Sequence, residues 1–205
     1  MEKPIQVDVY FDYPCPFCYV GKRRFEQGIK DIKAPIKVVY HSYQIDPSVS
    51  VDGEDRIEYN DREWGGNDWA EDIINTGRKE GIPFKNWSTA VNSLNAQRLT
   101  QYCHQNFPQL EDQMMENVFY ELYENGSNIS STDVLERIAK RIGLPDVTAF
   151  INGKEMEKEV LDEDKYAKNT LNIHTIPSYV VNNNKNFSGM SSIPKLLLFL
   201  KEKYN

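Results

Sequence analysis

The chain has 205 residues, enough for one generous domain or for one domain carrying an insertion. With 40% hydrophobic and 27% charged residues and no low-complexity tract, it has the composition of an ordinary globular protein. A net charge of −7 argues against nucleic acid and anionic membrane as partners, because both need basic patches, and Lys22-Arg23-Arg24 is too short a run to change this.

The apolar run Ile5-Gln6-Val7-Asp8-Val9-Tyr10-Phe11 predicts a strand over 5–12. A helix is expected over 15–31, and Ile36 to Gln44 reads as a second strand after the break at Ala34-Pro35. That spacing is the one a strand–helix–strand unit with parallel strands requires. From Asp46 the character changes: residues 46–66 are polar and acidic, with Pro47, Gly53, Gly65 and Gly66, and read as a surface connection. Helical periodicity then dominates. Helices are expected over 67–80, 93–106, 109–125, 132–142, 146–152 and 155–171. In 132–142 the stripe Val134, Leu135, Ile138, Ala139 and Ile142 is flanked by Ser131 or Thr132 as N-cap and Gly143 as C-cap. The strand signal returns at Ser178-Tyr179-Val180-Val181, turns at Asn182 to Lys185, and continues in Asn186-Phe187-Ser188. A helix from Ile193 to Tyr204 closes the chain. The strand-rich parts are thus 1–45 and 165–205, with the all-helical segment 46–164 inserted between them.

Met1-Glu2-Lys3-Pro4 enters the first strand without an apolar leader region, and the longest apolar run, Leu196 to Leu200, is too short to span a bilayer. A cytoplasmic location is therefore expected. Three cysteines in such a compartment do not make a structural disulfide framework. Cys103 reads as a small core hydrophobe.

The other two cysteines form Cys15-Pro16-Phe17-Cys18, placed where the first strand turns into the first helix. A helix N-terminus carries unpaired N–H groups and partial positive charge, and both stabilise a thiolate at Cys15. Pro16 fits the first helical position, where its missing N–H costs nothing. Cys18 lies about one turn on, on the same face, within reach of a disulfide. The pair is a candidate thiol–disulfide centre, with Cys15 as nucleophile and Cys18 as resolving thiol. Thiols placed in this way titrate at roughly 3.5–7. A CxxC can also supply half a zinc shell, but the only further ligands of that kind are Cys103 and three scattered histidines, so no metal site is expected.

The layout resembles the DsbA-like branch of the thioredoxin superfamily, and within it the FrnE-like dithiol oxidoreductases. The resemblance is carried by Asp12-Tyr13-Pro14-Cys15-Pro16-Phe17-Cys18-Tyr19-Val20-Gly21-Lys22-Arg23-Arg24, by Tyr43-Gln44-Ile45-Asp46-Pro47 and by Asn92-Ser93-Leu94-Asn95-Ala96-Gln97-Arg98-Leu99. Phe119-Tyr120-Glu121-Leu122-Tyr123, Asn128-Ile129-Ser130 and Ile173-His174-Thr175-Ile176-Pro177-Ser178-Tyr179 extend it along the chain. A His is commoner where Gln97 stands, and Phe187-Ser188-Gly189-Met190 departs from the family's usual Ser-Gly-Ala-Gln. The resemblance implies an α/β fold: a thioredoxin-like sheet with an inserted all-helical domain. It implies that Pro177 is cis and faces the cysteines, with Ile176 offering backbone groups to an extended substrate. Phe17 is a candidate apolar substrate contact, and His174 a candidate modulator of thiol ionisation.

The expected function is disulfide exchange with protein or peptide thiols. No cofactor is implied beyond the Cys15–Cys18 pair itself, with glutathione or a thioredoxin-type protein as candidate electron partner. The Pro-Phe dipeptide lacks the His of the most oxidising relatives and is not thioredoxin's Gly-Pro, so a potential inside the family's span of roughly −270 to −120 mV is expected. The alternatives are a glutathione-dependent isomerase of the 2-hydroxychromene-2-carboxylate type, which carries Ser in place of Cys15, and a redox-active client-binding or chaperone module.

Overall fold

The computed structural model describes residues 3–204. In chain order the elements are β1 (Ile5–Phe11), α1 (Pro16–Ile29), β2 (Ile36–Ser42), β3 (Glu54–Asp55), α2 (Arg56–Trp64), α3 (Asp68–Lys79), β4 (Thr89–Ala90), α4 (Leu94–Asn106), α5 (Glu111–Tyr123), α6 (Thr132–Ile142), α7 (Thr148–Asn152), α8 (Glu157–Asn169), β5 (Ser178–Val181), β6 (Lys185–Ser188) and α9 (Ile193–Tyr204). Two compact units result, one of residues 1–43 with 163–205 and one of residues 44–162.

The first unit is built on a four-stranded sheet in the order β2-β1-β5-β6. β1 and β2 are parallel, with Ile5 opposite Ile36 and Phe11 opposite Ser42. β5 runs antiparallel to β1, and β6 antiparallel to β5. Alternation along β1 sends Ile5, Val7 and Val9 to one face, where they pack with Phe25 of α1, Tyr179 and Val181 of β5, and Leu196 and Leu200 of α9. The other face carries a polar knot. His41 of β2 places Nε2 2.9 Å from Asp8 Oδ1 and Nδ1 2.8 Å from Glu163 Oε1 of α8. Tyr10 stacks on its ring at 4.9 Å between centroids. Burial alone would push His41 down; its bonds to the two carboxylates outweigh this and hold it up at about 9.

The second unit is largely helical, and β3 and β4 add a small antiparallel sheet to the expected all-helical segment. Met114, Val118, Phe119 and Leu122 of α5 and Leu135 and Ile138 of α6 are fully buried, as their helical spacing requires. Glu121 has a side chain with 0% exposure, which only full pairing allows. Arg141 reaches it at 2.7 Å and Arg137 at 3.0 Å. Arg98 of α4 is buried and donates to the carbonyls of Phe150, Ile151, Gly153 and Glu155, so one guanidinium satisfies the C-terminal end of α7.

Residues 46–66 are not only a surface connection. They hold β3 and the nine-residue helix α2, started by Asp55, whose carboxylate accepts the N–H groups of Ile57 and Glu58. The helix shows few apolar residues because it buries only Tyr59 and Asn60, and hydrophobic periodicity is blind to such an element. Its cap, Asp55 followed three residues later by Glu58, was the available signal.

Candidate active site

The site begins at the end of β1. Beyond Phe11 the chain turns through Asp12, whose carbonyl accepts the Cys15 N–H at 3.3 Å. Cys15 then caps α1 in an extended conformation, with φ −88° and ψ 104°. Its sulfur accepts the Cys18 N–H at 3.2 Å, the role a Ser or Asp oxygen plays at other helix starts. Pro16 takes the first helical position.

Opposite the sulfur lies a loop from the far end of the unit. The Ile176–Pro177 peptide bond is cis. The Cys15 thiol points to the Ile176 carbonyl oxygen at 3.8 Å, joining residues 161 positions apart. The loop is braced from behind: Ser178 Oγ donates to Thr175 O at 2.8 Å, and the Gly189 N–H donates to Pro177 O at the same distance. Gly189 holds φ +78°, a left-handed conformation that suits glycine, which is how the chain turns back under the proline.

The two thiols are not equivalent. Both cysteines are only 2% exposed. Burial first, and the neighbouring Cys15 second, push the Cys18 thiol well above the ordinary range. Cys15 alone has the helix-capping position and the proline loop beside it. The two sulfurs are thus held in different surroundings, Cys15 at the helix cap facing the Ile176 carbonyl and Cys18 with its thiol raised by burial.

The remaining sequence candidates divide. Ile176 takes part through its backbone, its side chain being buried. Phe17 is half-buried beside Cys18 on α1. His174 is exposed and places Nε2 2.8 Å from Asn172 Oδ1; among the described contacts no hydrogen bond joins it to either sulfur. Cys103 lies in α4 with its thiol 3.6 Å from Phe107 O, and burial pushes it up to about 11, the behaviour of a packing residue. Four residues that shape the site gave no signal of their own. Ser178, Tyr179, Gly189 and Gly21 stand in the segments compared with the family, but no role of their own could be read for them, because what each one touches is distant in sequence.

The family model of the DSBA-like thioredoxin domain matches residues 6–201. The chain belongs to the DSBA-like thioredoxin domain family. Among solved structures, this DSBA-like chain is similar to a probable DsbA oxidoreductase from Streptomyces coelicolor, with a TM-score of 0.87, 17% identity, and coverage of 97% of this chain and 89% of that one. A 2-hydroxychromene-2-carboxylate isomerase matches with a TM-score of 0.73 and 15% identity over 96% of this chain and 95% of that one. The cytosolic disulfide reductase DsbM from Pseudomonas aeruginosa, solved with GSH, matches with a TM-score of 0.61 and 13% identity over 97% and 98% of the two chains. At these identities the likeness is one of fold, and the DSBA-like fold alone leaves the chemistry to be argued from the site. Among the described residues no helix is long and apolar enough to cross a membrane.

Proposed function

We propose that the protein is a dithiol oxidoreductase that exchanges disulfides with protein or peptide thiols through Cys15 and Cys18. One observation carries this reading: a cysteine caps a helix, holds the N–H of the second cysteine on its sulfur, and faces the carbonyl before a cis proline. Structural thiols have no need of that arrangement. In the reducing direction the Cys15 thiolate attacks a substrate disulfide, forming a Cys15–substrate disulfide and releasing the other substrate sulfur as a thiolate, which takes a proton from water. Cys18 then loses its proton to water and attacks the Cys15 sulfur. The Cys15–Cys18 bond forms, the bond to substrate breaks, and the second substrate sulfur leaves with the electron pair. Oxidation of a substrate dithiol is the same path reversed.

Supporting this reading over the isomerase is the presence of both thiols, since an isomerase of that type needs no second cysteine. A zinc site would need further ligands, and the grouping of His, Cys, Asp and Glu side chains among the described residues includes neither Cys15 nor Cys18. The likeness to a cytosolic disulfide reductase solved with GSH makes glutathione the first electron partner to try, and favours a cytoplasmic setting.

The test is equilibration with glutathione buffers followed by acid quench and mass analysis. The expected result is a reversible loss of two hydrogen atoms mapped to a Cys15–Cys18 disulfide, with their electrons passed to glutathione disulfide, no reaction in Cys15→Ser, and a trapped glutathione adduct at Cys15 in Cys18→Ser. A protein that forms no such disulfide, or a catalytic turnover that survives Cys18→Ser unchanged, overturns the reading and favours the isomerase.

A further inference from the structure

Tyr179 holds a buried polar atom with no use so far. On β5 it pairs with Val9 of β1 and Phe187 of β6, so strand alternation turns it to the core face, where its ring lies 5.0 Å from that of Phe25. The residue has 0% exposure, and its hydroxyl has no hydrogen-bond partner among the described residues. Leaving a buried hydroxyl unpaired costs roughly 1–3 kcal/mol, so such atoms ask for an explanation. The location of this one is specific. A Cβ built on Gly21 would stand 3.0 Å from the Tyr179 oxygen and 3.0 Å from Pro177 Cγ. Gly21 lies less than one turn beyond Cys18, and Pro177 follows the carbonyl that the Cys15 thiol faces. The phenol oxygen thus lies beside Gly21, between the helix that carries the dithiol and the Pro177 ring. Burial first, then charge on Cys18 and Cys15, raises the phenol well above its ordinary range, so it keeps its proton and acts as a donor. The other charges acting on it, Glu26 and Arg24, both come from α1.

We propose that Tyr179 is a positioning residue of the exchange, its O–H donating to the Cys18 sulfur whenever that sulfur carries negative charge. This rests on the oxidoreductase reading. Cys18 is nucleophile or leaving group only as a thiolate, and at 2% exposure it has little water to solvate it. During resolution Cys18 gives its proton to water, its electron pair forms the bond to Cys15, and the substrate sulfur departs with the pair of the broken bond. Tyr179 stays protonated throughout and loses its acceptor once the Cys18 charge is consumed. In the resting dithiol Cys18 is a neutral thiol, and the hydroxyl is idle.

The experiment reacts the reduced full-length protein with glutathione disulfide, quenches in acid over a range of times and pH values, and follows the Cys15–glutathione adduct by mass. In Tyr179→Phe the adduct is expected to form at the wild-type rate but to persist about tenfold longer, the loss of one hydrogen bond to a charged group. The pH midpoint of its decay should move upward. In a Cys15→Ser background, alkylation of Cys18 should likewise need higher pH once Tyr179→Phe is added. The thermal midpoint should hold or rise, since an unpaired hydroxyl has been removed. Equal adduct lifetimes overturn the proposal. So does equal slowing of both steps with a lowered thermal midpoint, or a variant that fails to fold, because either makes the hydroxyl a structural partner. If the wild-type protein forms neither adduct nor internal disulfide, the oxidoreductase reading itself falls, a result visible without the variant.

Discussion

Gly21 sets how closely α1 approaches the proline loop. A methyl group there would meet the Pro177 ring and the Tyr179 oxygen, each at 3.0 Å, and neither is the loose end of a flexible side chain. Gly21→Ala is therefore expected to move the loop away from the sulfurs and to cost about 1–3 kcal/mol by overpacking. Glutathione-disulfide turnover should fall at least tenfold while far-UV circular dichroism keeps its native shape; an alanine variant with wild-type turnover would show that the loop gives way freely. The cysteines themselves were legible because the capping role, the proline at the first helical position and the one-turn spacing are all local. Gly21 was visible only as a glycine in a helix, and Tyr179 only as an aromatic in a strand. Their meeting depends on register and on helix docking, which no window of ten residues contains.

Arg98 carries a comparable argument for a whole element. α7 is five residues long, too short to persist on its own propensity, and its last carbonyls are held by one guanidinium. Arg98→Ala removes this donor from Ile151 O, Gly153 O and Glu155 O, while Phe150 O keeps the Gly153 N–H, and should cost about 1–3 kcal/mol, read as a lower thermal midpoint. Arg98→Lys should recover only part of this, because an ammonium cannot fan out to four carbonyls. An unchanged midpoint in the alanine variant would mean that water replaces the guanidinium. Strongly amphipathic helices such as α6 could be read from periodicity alone, whereas α2, which buries only two side chains, could not. What makes α2 a helix is its cap and its neighbours, not an apolar stripe.

For the molecule as a whole, the partly buried knot of Asp8, His41 and Glu163 ties β1, β2 and α8 together and makes stability depend on pH. His41 is raised in the folded state, from 6.5 to about 9, so protonation favours folding. Its contribution is complete below about pH 6.5 and is lost as pH rises through 9, amounting to at most about 3 kcal/mol. Asp8 has the opposite sign: burial would raise it, the bonds to His41 and Gln6 outweigh this and lower it, and its contribution fades in acid. Denaturant unfolding should show stability declining between pH 6.5 and 9, and His41→Gln should remove most of that slope. A wild-type profile flat across this interval would mean that the imidazole is neutral in the fold. The place and spacing of the two cysteines and the order of most of the elements could be read from the residues, because periodicity, capping and turn chemistry act within a few residues. The pairing of β1 with β5, the approach of Ile176 O to the Cys15 thiol and the position of the Tyr179 hydroxyl emerge only in the folded chain. Those contacts join residues more than a hundred positions apart, and they form only when the packing of a whole unit brings their elements together.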